Sequence, residues 1–247
     1  GQLGTDIDGE SVNDNSGRSV AFNAAGNRII IGANGNNGSA PYSGHARVYD
    51  WDGSAWTQVG GDINGEAGSD YSGWKVAMNN AGNRVLVGAI YNTGNGYRAG
   101  HARMFSYDGT NWVQMGSDID GENAEDEFSW SAAMNGAGSR VVISAYKNDG
   151  TGTNAGHTRI FDWNGTTWDQ LGSDIDAEAA EDQAGYAVSM NDAGDRIAIG
   201  ANYNDGGGTN SGHVRIYDWN GSSWTQVGSD INGCLLYTSD AADECHS

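Results

Sequence analysis

The sequence predicts an all-β chain organised as four blades of a β-propeller, and three observations predict it. A 56-residue unit recurs without insertions, so that His45, His101, His157 and His213 stand at equal steps, each preceded by Gly and followed eleven residues later by Trp. A fixed step of this kind marks a repeat architecture. Within each unit the apolar residues follow strand patterns, and no helical period appears. Forty glycines against one proline, with nine Trp and eleven Tyr, describe short elements, tight turns and an aromatic core.

The second unit shows the elements in order. A short strand is expected over 75–78, a turn over 79–83, and a strand over 84–89 that is apolar on both faces and therefore buried. A Gly- and Asn-rich loop over 90–99 follows, then strands over 101–105 and 112–115. Between these last two lies Asp108-Gly109, matched by Asp52-Gly53, Asn164-Gly165 and Asn220-Gly221. Such pairs favour the positive φ angles of a type I′ hairpin. Four antiparallel strands per unit describe a propeller blade, and the blades are expected at about 12–60, 68–116, 124–172 and 180–228. One sheet cannot bury both of its faces, so neighbours must stack with Trp, Tyr and Phe between them. A β-solenoid fits less well, because its coils are usually shorter and lack the repeated hairpins.

The segment Gln2 to Asp8 matches 58–64, 114–120, 170–176 and 226–232, so the chain begins inside one unit and stops inside another. A fragment of a larger propeller is expected over 1–233. From Cys234 to Ser247 the repeat breaks abruptly, and this stretch resembles a translated sequencing-library adapter rather than a further blade.

The formal charge is −20, from 32 acids and 12 bases. Eight of those bases fill two repeat positions: Arg28, Arg84, Arg140 and Arg196, then Arg47, Arg103, Arg159 and Arg215. The resulting negative field repels phosphate backbones, which argues against nucleic acid. A cation, a neutral glycan or a basic protein surface suits it better. No run approaches the roughly 18 apolar residues of a membrane span, so no membrane insertion is expected. Cys234 and Cys245 lie beyond the last complete unit, which leaves the repeats without thiolate metal ligands.

The richest chemical pattern is a run of alternating acids around a Gly. It occurs as Asp6, Asp8, Glu10 and Asp14, as Asp62, Asn64, Glu66 and Asp70, as Asp118, Asp120, Glu122 and Asp126, and as Asp174, Asp176, Glu178 and Asp182. Oxygen-rich runs of this kind suit Ca²⁺, which takes six to eight oxygen ligands. The other reading is a solvated connection whose acids cap turns. The four histidines are expected to make structural hydrogen bonds to neighbouring turns, and the two Arg series to act as scaffold, paired with Asp or stacked on Trp. Loops 34–42, 90–98, 146–154 and 202–210 vary most between units. Their Asn, Gly, Asp and Tyr content suits contact with a protein or a glycan.

Ser72 to Ala77, then Val87-Gly88-Ala89, then Gly100 to Phe105 resemble the FG-GAP repeat of integrin-α-like propellers. The resemblance implies a propeller of about seven blades, extracellular or at the cell surface, used for adhesion or ligand binding. The family's calcium loop corresponds here to Asn23–Arg28, which carries no acid. Its equivalents at 79–84, 135–140 and 191–196 hold only Asp192 and Asp195. No nucleophile–base constellation and no phosphate-cradling loop appears, so the expectation is a non-catalytic binding module. The alternative is the propeller part of a secreted carbohydrate-active or other hydrolytic enzyme whose active residues lie elsewhere.

Overall fold

The structure, a computed structural model, describes residues 1–233, so the expectation for 234–247 lies outside the described residues. Twenty strands form four separate antiparallel sheets, and the described residues contain no helix. The first sheet holds β1 (Ser16–Phe22), β2 (Arg28–Ala33), β3 (His45–Trp51), β4 (Trp56–Gln58) and β5 (Ile63–Asn64). The second holds β6 (Ser72–Met78), β7 (Arg84–Ala89), β8 (His101–Tyr107), β9 (Trp112–Gln114) and β10 (Ile119–Asp120). The third comprises β11 (Ala132–Met134), β12 (Arg140–Ala145), β13 (His157–Trp163), β14 (Trp168–Gln170) and β15 (Ile175–Asp176). The fourth comprises β16 (Ala184–Met190), β17 (Arg196–Ala201), β18 (His213–Trp219), β19 (Trp224–Gln226) and β20 (Ile231–Asn232). These are four blades of a β-propeller.

Each blade contains one strand more than the sequence pattern suggests. β4 and β5 both pair with β3, β4 along Tyr49–Trp51 and β5 along His45–Ala46. The fifth strand was hidden because two residues are too few to show alternation. Its presence carries the first sheet to residue 64, past the expected end at 60.

The hairpin between the third and fourth strands is present, but not as a type I′ turn. Trp51 pairs with Trp56 across a four-residue loop, and of its residues only Gly53 has positive φ, at 100°. The Asp52 carboxylate accepts N–H bonds from Ser54 and Ala55 at 2.7 and 2.8 Å. That side-chain turn replaces the backbone turn expected of Asp-Gly, and Asn164 repeats it with Thr166 and Thr167.

Three apolar cores hold the blades together, each shared by two neighbours. Ile30, Val48 and Ile63 meet Val76, Val85 and Phe105 at the first junction. Leu86, Met104 and Ile119 meet Val141, Ile143 and Phe161 at the second, and Ile160 and Ile175 meet Ile197, Ile199 and Tyr217 at the third. Burying each large apolar side chain stabilises by about 1.5–3 kcal/mol, so stacking is what makes a single blade viable. The tryptophans fasten neighbours by hydrogen bonding as well as by area. Trp112 Nε1 donates to Val59 O at 2.9 Å, Trp168 Nε1 to Met115 O and Trp224 Nε1 to Leu171 O, both at 3.0 Å.

The two Arg series are scaffold, as their repetition suggests. Arg140 binds Asp162 through two nitrogens and reaches across the junction to Gly194 O at 2.9 Å. Arg28 does the same with Asp50 and Gly82 O. Arg84 keeps the cross-junction bond, to Gly138 O, but its ladder partner is Ser106 instead of an Asp. The aromatic rings beside Arg28 and Arg47 are Tyr107 and Tyr49, not Trp.

Candidate functional site

Two arrangements of chemically able side chains emerge, one repeated and one not. The repeated one forms where the connection before a blade meets the third strand of that blade. His45 opens β3, opposite Asn64 of β5, which places Asp62 beside it. Arg47, two residues on and on the same face, donates to Asp8 O at 2.8 Å and draws Glu10 toward the imidazole. His45 Nδ1 then stands 3.9 Å from Glu10 Oε2 and 3.9 Å from Asp62 Oδ2. His101 with Glu66 and Asp118, His157 with Glu122 and Asp174, and His213 with Glu178 and Asp230 repeat the cluster at 3.6–3.9 Å.

The imidazoles are buried, whereas the carboxylates stand at an open mouth, half or a third exposed. Burial, helped by Arg103 and Arg159, pushes His101 and His157 down to about 4, and it lowers His45 as well. These imidazoles are therefore neutral at pH 7, with a lone pair on one nitrogen. Burial raises the Glu66 and Glu122 carboxyls against the pull of the neighbouring Arg.

The structure divides each acidic run between different tasks. Glu10, Glu66, Glu122 and Glu178 join one histidine cluster, while Asp62, Asp118 and Asp174 join the cluster of the preceding histidine. Asp6, the first of the series, accepts from Gln2 Nε2 at 2.7 Å and belongs to no described cluster. Asp8, Asn64, Asp120 and Asp176 contribute backbone carbonyls to the Arg series. Burial and the adjacent Asp118 raise the Asp120 carboxyl, and Asp174 acts likewise on Asp176. Asp14, Asp70, Asp126 and Asp182 are buried caps. Asp126 accepts from Asn123 N–H and from Asn148 Nδ2, and the other three repeat this pattern. The single oxygen-rich loop expected of each run is therefore not assembled.

His45 also departs from expectation. It has no hydrogen-bond partner on either ring nitrogen among the described residues, so it serves no neighbouring turn. Asp230 completes the fourth cluster. Its place in the Gln-to-Asp match was visible in the sequence, but that run breaks off before its own Glu.

The second arrangement lies on, or for Trp130 just before, the first strand of each blade. Arg18, Trp74, Trp130 and Tyr186 occupy one repeat position, yet they are four large side chains of three kinds. Register shifts between Ser16 and Ser19, Ser72 and Lys75, and Ala184 and Ala187 mark β-bulges, with Gly17, Gly73 and Gly185 at positive φ. A bulge re-aims the side chain that follows it, here into a shared cleft of about 320 Å³. Arg18 lies 3.7 Å over the Trp74 ring, Trp74 and Trp130 are 5.1 Å apart, and Trp130 and Tyr186 are 5.5 Å apart. Tyr146, from the third variable loop, packs on Trp130 at 4.3 Å.

The third blade breaks the repeat most strongly. Its first strand begins only at Ala132, and Ser129 takes the positive φ that glycine supplies elsewhere, at 69°. Glu127, which is buried, receives Lys147 Nζ at 2.8 Å and the Tyr146 hydroxyl at 3.1 Å. Burial and this carboxylate push Tyr146 up to about 12. The four bases outside the scaffold positions are Arg18, Lys75, Arg98 and Lys147, and all four border aromatic rings or the cleft. The sequence signal for this site was variation at one position of an otherwise constant unit, just after a Gly.

A larger cavity, about 460 Å³, lies elsewhere, against Gly200, Gly212 and His213 of the last blade. At the internal junctions the matching Gly44, Gly100 and Gly156 lie against Ser72, Phe128 and Ala184 of the next sheet. Among the described residues no further sheet lies against this flank, and the hollow occupies the place that the next blade fills at the internal junctions.

No family model matches the chain, and no curated protein matches it. Solved structures do. A putative 6-phosphogluconolactonase from Bacteroides uniformis superposes with a TM-score of 0.58 at 10% identity, covering 87% of this chain and 55% of that one. The periplasmic gluconolactonase PpgL of Pseudomonas aeruginosa gives 0.57 at 10% identity, covering 90% and 58%. Hydrazine synthase of Kuenenia stuttgartiensis gives 0.54 at 8% identity, covering 92% and 51%. The chain spans about half the length of each. Identities this low establish a common fold and nothing finer.

Proposed function

We propose that this chain is the binding scaffold of an extracellular or cell-surface propeller. It takes a neutral glycan in the axial cleft and carries out no chemistry on it. The observation that supports this is the one repeat position where the scaffold stays constant and the side chain does not. Half-exposed Trp74 and Trp130 with exposed Tyr186 offer flat apolar surfaces with polar tips, which suit the CH faces and hydroxyls of sugar rings. At the cleft Arg18 is occupied by the Trp74 ring and Lys147 by Glu127, while Lys75 stands beside Arg18 with burial lowering its pKa. The chain's overall charge of −20 also disfavours a polyanion. Tips of the variable loops, through Tyr42, Tyr91 and Arg98, extend the aromatic surface beside Tyr71. The FG-GAP-like pattern agrees with a role in binding at the cell surface.

An enzymatic reading has one observation in its favour, the Glu127, Tyr146 and Lys147 set peculiar to the third blade. Both Glu127 oxygens are held by its neighbours, however, which suits support of Trp130 better than proton transfer.

Affinity electrophoresis of the whole chain through gels containing neutral or uronate polysaccharides tests the proposal. Neutral glycan should retard the chain, Trp130→Ala should weaken binding about tenfold, and no new reducing ends should appear. Retardation by uronates alone, unchanged binding by Trp130→Ala, or release of reducing ends would each overturn it.

A further inference from the structure

We propose that each Glu–His–Asp cluster at the blade connections binds a divalent transition-metal ion such as Zn²⁺, giving the described chain four equivalent sites. Three features of the clusters support this, and none depends on the axial cleft.

The first is an orphaned ligand. The His45 side chain is 1% exposed, and its Nδ1 faces two carboxylates that are too far away for a hydrogen bond. Nδ1 of His213, equally buried, also has no partner among the described residues. A buried polar atom without a partner is costly, and here the same one recurs at the centre of an anionic cluster.

The second is how the two carboxylates are held. In every cluster one oxygen of each is engaged and the other faces the imidazole. Gln58, Gln114, Gln170 and Gln226 donate to Oδ1 of Asp62, Asp118, Asp174 and Asp230 at 2.6–2.7 Å. Arg47, Arg103, Arg159 and Arg215 approach Oε1 of the Glu at 3.4–3.9 Å. Oδ2 and Oε2 are left toward Nδ1, all within 4.8 Å of one another. Outer groups that orient ligands in this way are typical of metal sites.

The third is charge and donor type. Two carboxylates against one guanidinium leave each cluster negative, with Asp14, Asp70 or Asp126 adding to this at the first three, which favours a divalent cation. One nitrogen and two oxygens, open on the solvent side, match a zinc site with three protein ligands and a water. Zinc bonds of about 2.0–2.2 Å at tetrahedral angles put ligand atoms roughly 3.4 Å apart. Each carboxylate oxygen therefore needs to approach Nδ1 by only a few tenths of an ångström, within a trio of ligand atoms no more than 4.8 Å apart. Calcium is a poorer fit, since it seeks six to eight oxygens and each cluster turns two carboxylate oxygens and a nitrogen toward one point.

The test is equilibrium dialysis of the whole chain against micromolar Zn²⁺ in the presence of millimolar Ca²⁺, with bound zinc quantified. Cys234→Ser, Cys245→Ser and His246→Ala in the background remove other zinc ligands. Uptake near four ions per chain is expected, with one fewer for His101→Gln and one fewer for Glu66→Gln. Glu66 is 43% exposed, so its replacement leaves folding intact should His101→Gln misfold. Circular dichroism of the metal-free variants verifies this. Uptake below one ion per chain, loss of zinc to calcium, or a stoichiometry that Glu66→Gln leaves unchanged would overturn the proposal.

Discussion

At the blade junctions the four units repeat the same contacts with few substitutions, whereas just before or along the first strand of each blade they present Arg18, Trp74, Trp130 and Tyr186. The junction residues answer to geometry alone. Each must reach the carbonyl, ring or backbone of the next copy, and identical copies require identical residues. The axial position answers to nothing in the scaffold, because the bulge carries its side chain out of the ladder. Variation there costs the fold little. A repeat protein can thus place specificity only where its repeat is free to fail, and the third blade, with Glu127, Tyr146 and Lys147, uses that freedom most.

The comparison breaks most severely at a junction glycine. A Cβ on Gly44 would run into Ser72 O and its neighbours, while at Gly212 the nearest atom is Asn202 O at 3.1 Å. Gly44→Ala should cost about 4 kcal/mol or more, against about 1–2 kcal/mol of left-handed strain for Gly212→Ala. Urea denaturation midpoints of the two variants measure the difference, and equal costs would show that the sheets do not rely on close stacking.

Acid should strike the junctions as well. His101 and His157 titrate near 4 in the folded chain and near 6.5 when unfolded, so the unfolded state binds more protons between those values. Their contribution is fully present above about pH 6.5 and is lost as pH falls toward 4. Raised carboxyls at Glu66 and Glu122 offset part of this from the opposite direction. The melting temperature in chelator should fall steadily over that window, and His101→Gln should flatten the slope. A profile that is flat from pH 7 to 4 would contradict the neutral imidazoles.

A smaller contrast separates two kinds of cation. Arg159 is buried and donates to Asp120 O at 2.6 Å across a junction, so Arg159→Met should cost about 2–3 kcal/mol. Lys75 lines the cleft, and burial beside Arg18 pulls its pKa down. Lys75→Met should leave the urea midpoint unchanged or raised. Trp168→Phe and Trp224→Phe should each cost about 1 kcal/mol by losing one junction hydrogen bond. Trp130→Phe should cost less than either, and a larger loss would make Trp130 part of the scaffold.

The spacing of Gly, His and Trp made the sheets legible, because repetition multiplies a weak strand signal by four. Arg84 to Ala89 could be bounded from its apolar run alone, and the structure places β7 there. The clusters were not legible in the same way. Glu10, His45 and Asp62 come from three turns of chain and meet only because β5 folds back on β3 while Arg47 holds the preceding connection. Within one acidic run, proximity in sequence was misleading: Asp14 turns inward to cap Ser11 and bind Asn36 and is not a member of Glu10's cluster.

Composition and periodicity by themselves determined an acidic, all-β repeat whose sheets must stack, because local alternation and the need to bury apolar faces are properties of short segments. Only the tertiary structure decided which acids share a histidine and which side chains share the axial cleft. Those choices depend on bulges, two-residue strands and contacts between blades. Such features join residues tens of positions apart, where no spacing rule reaches.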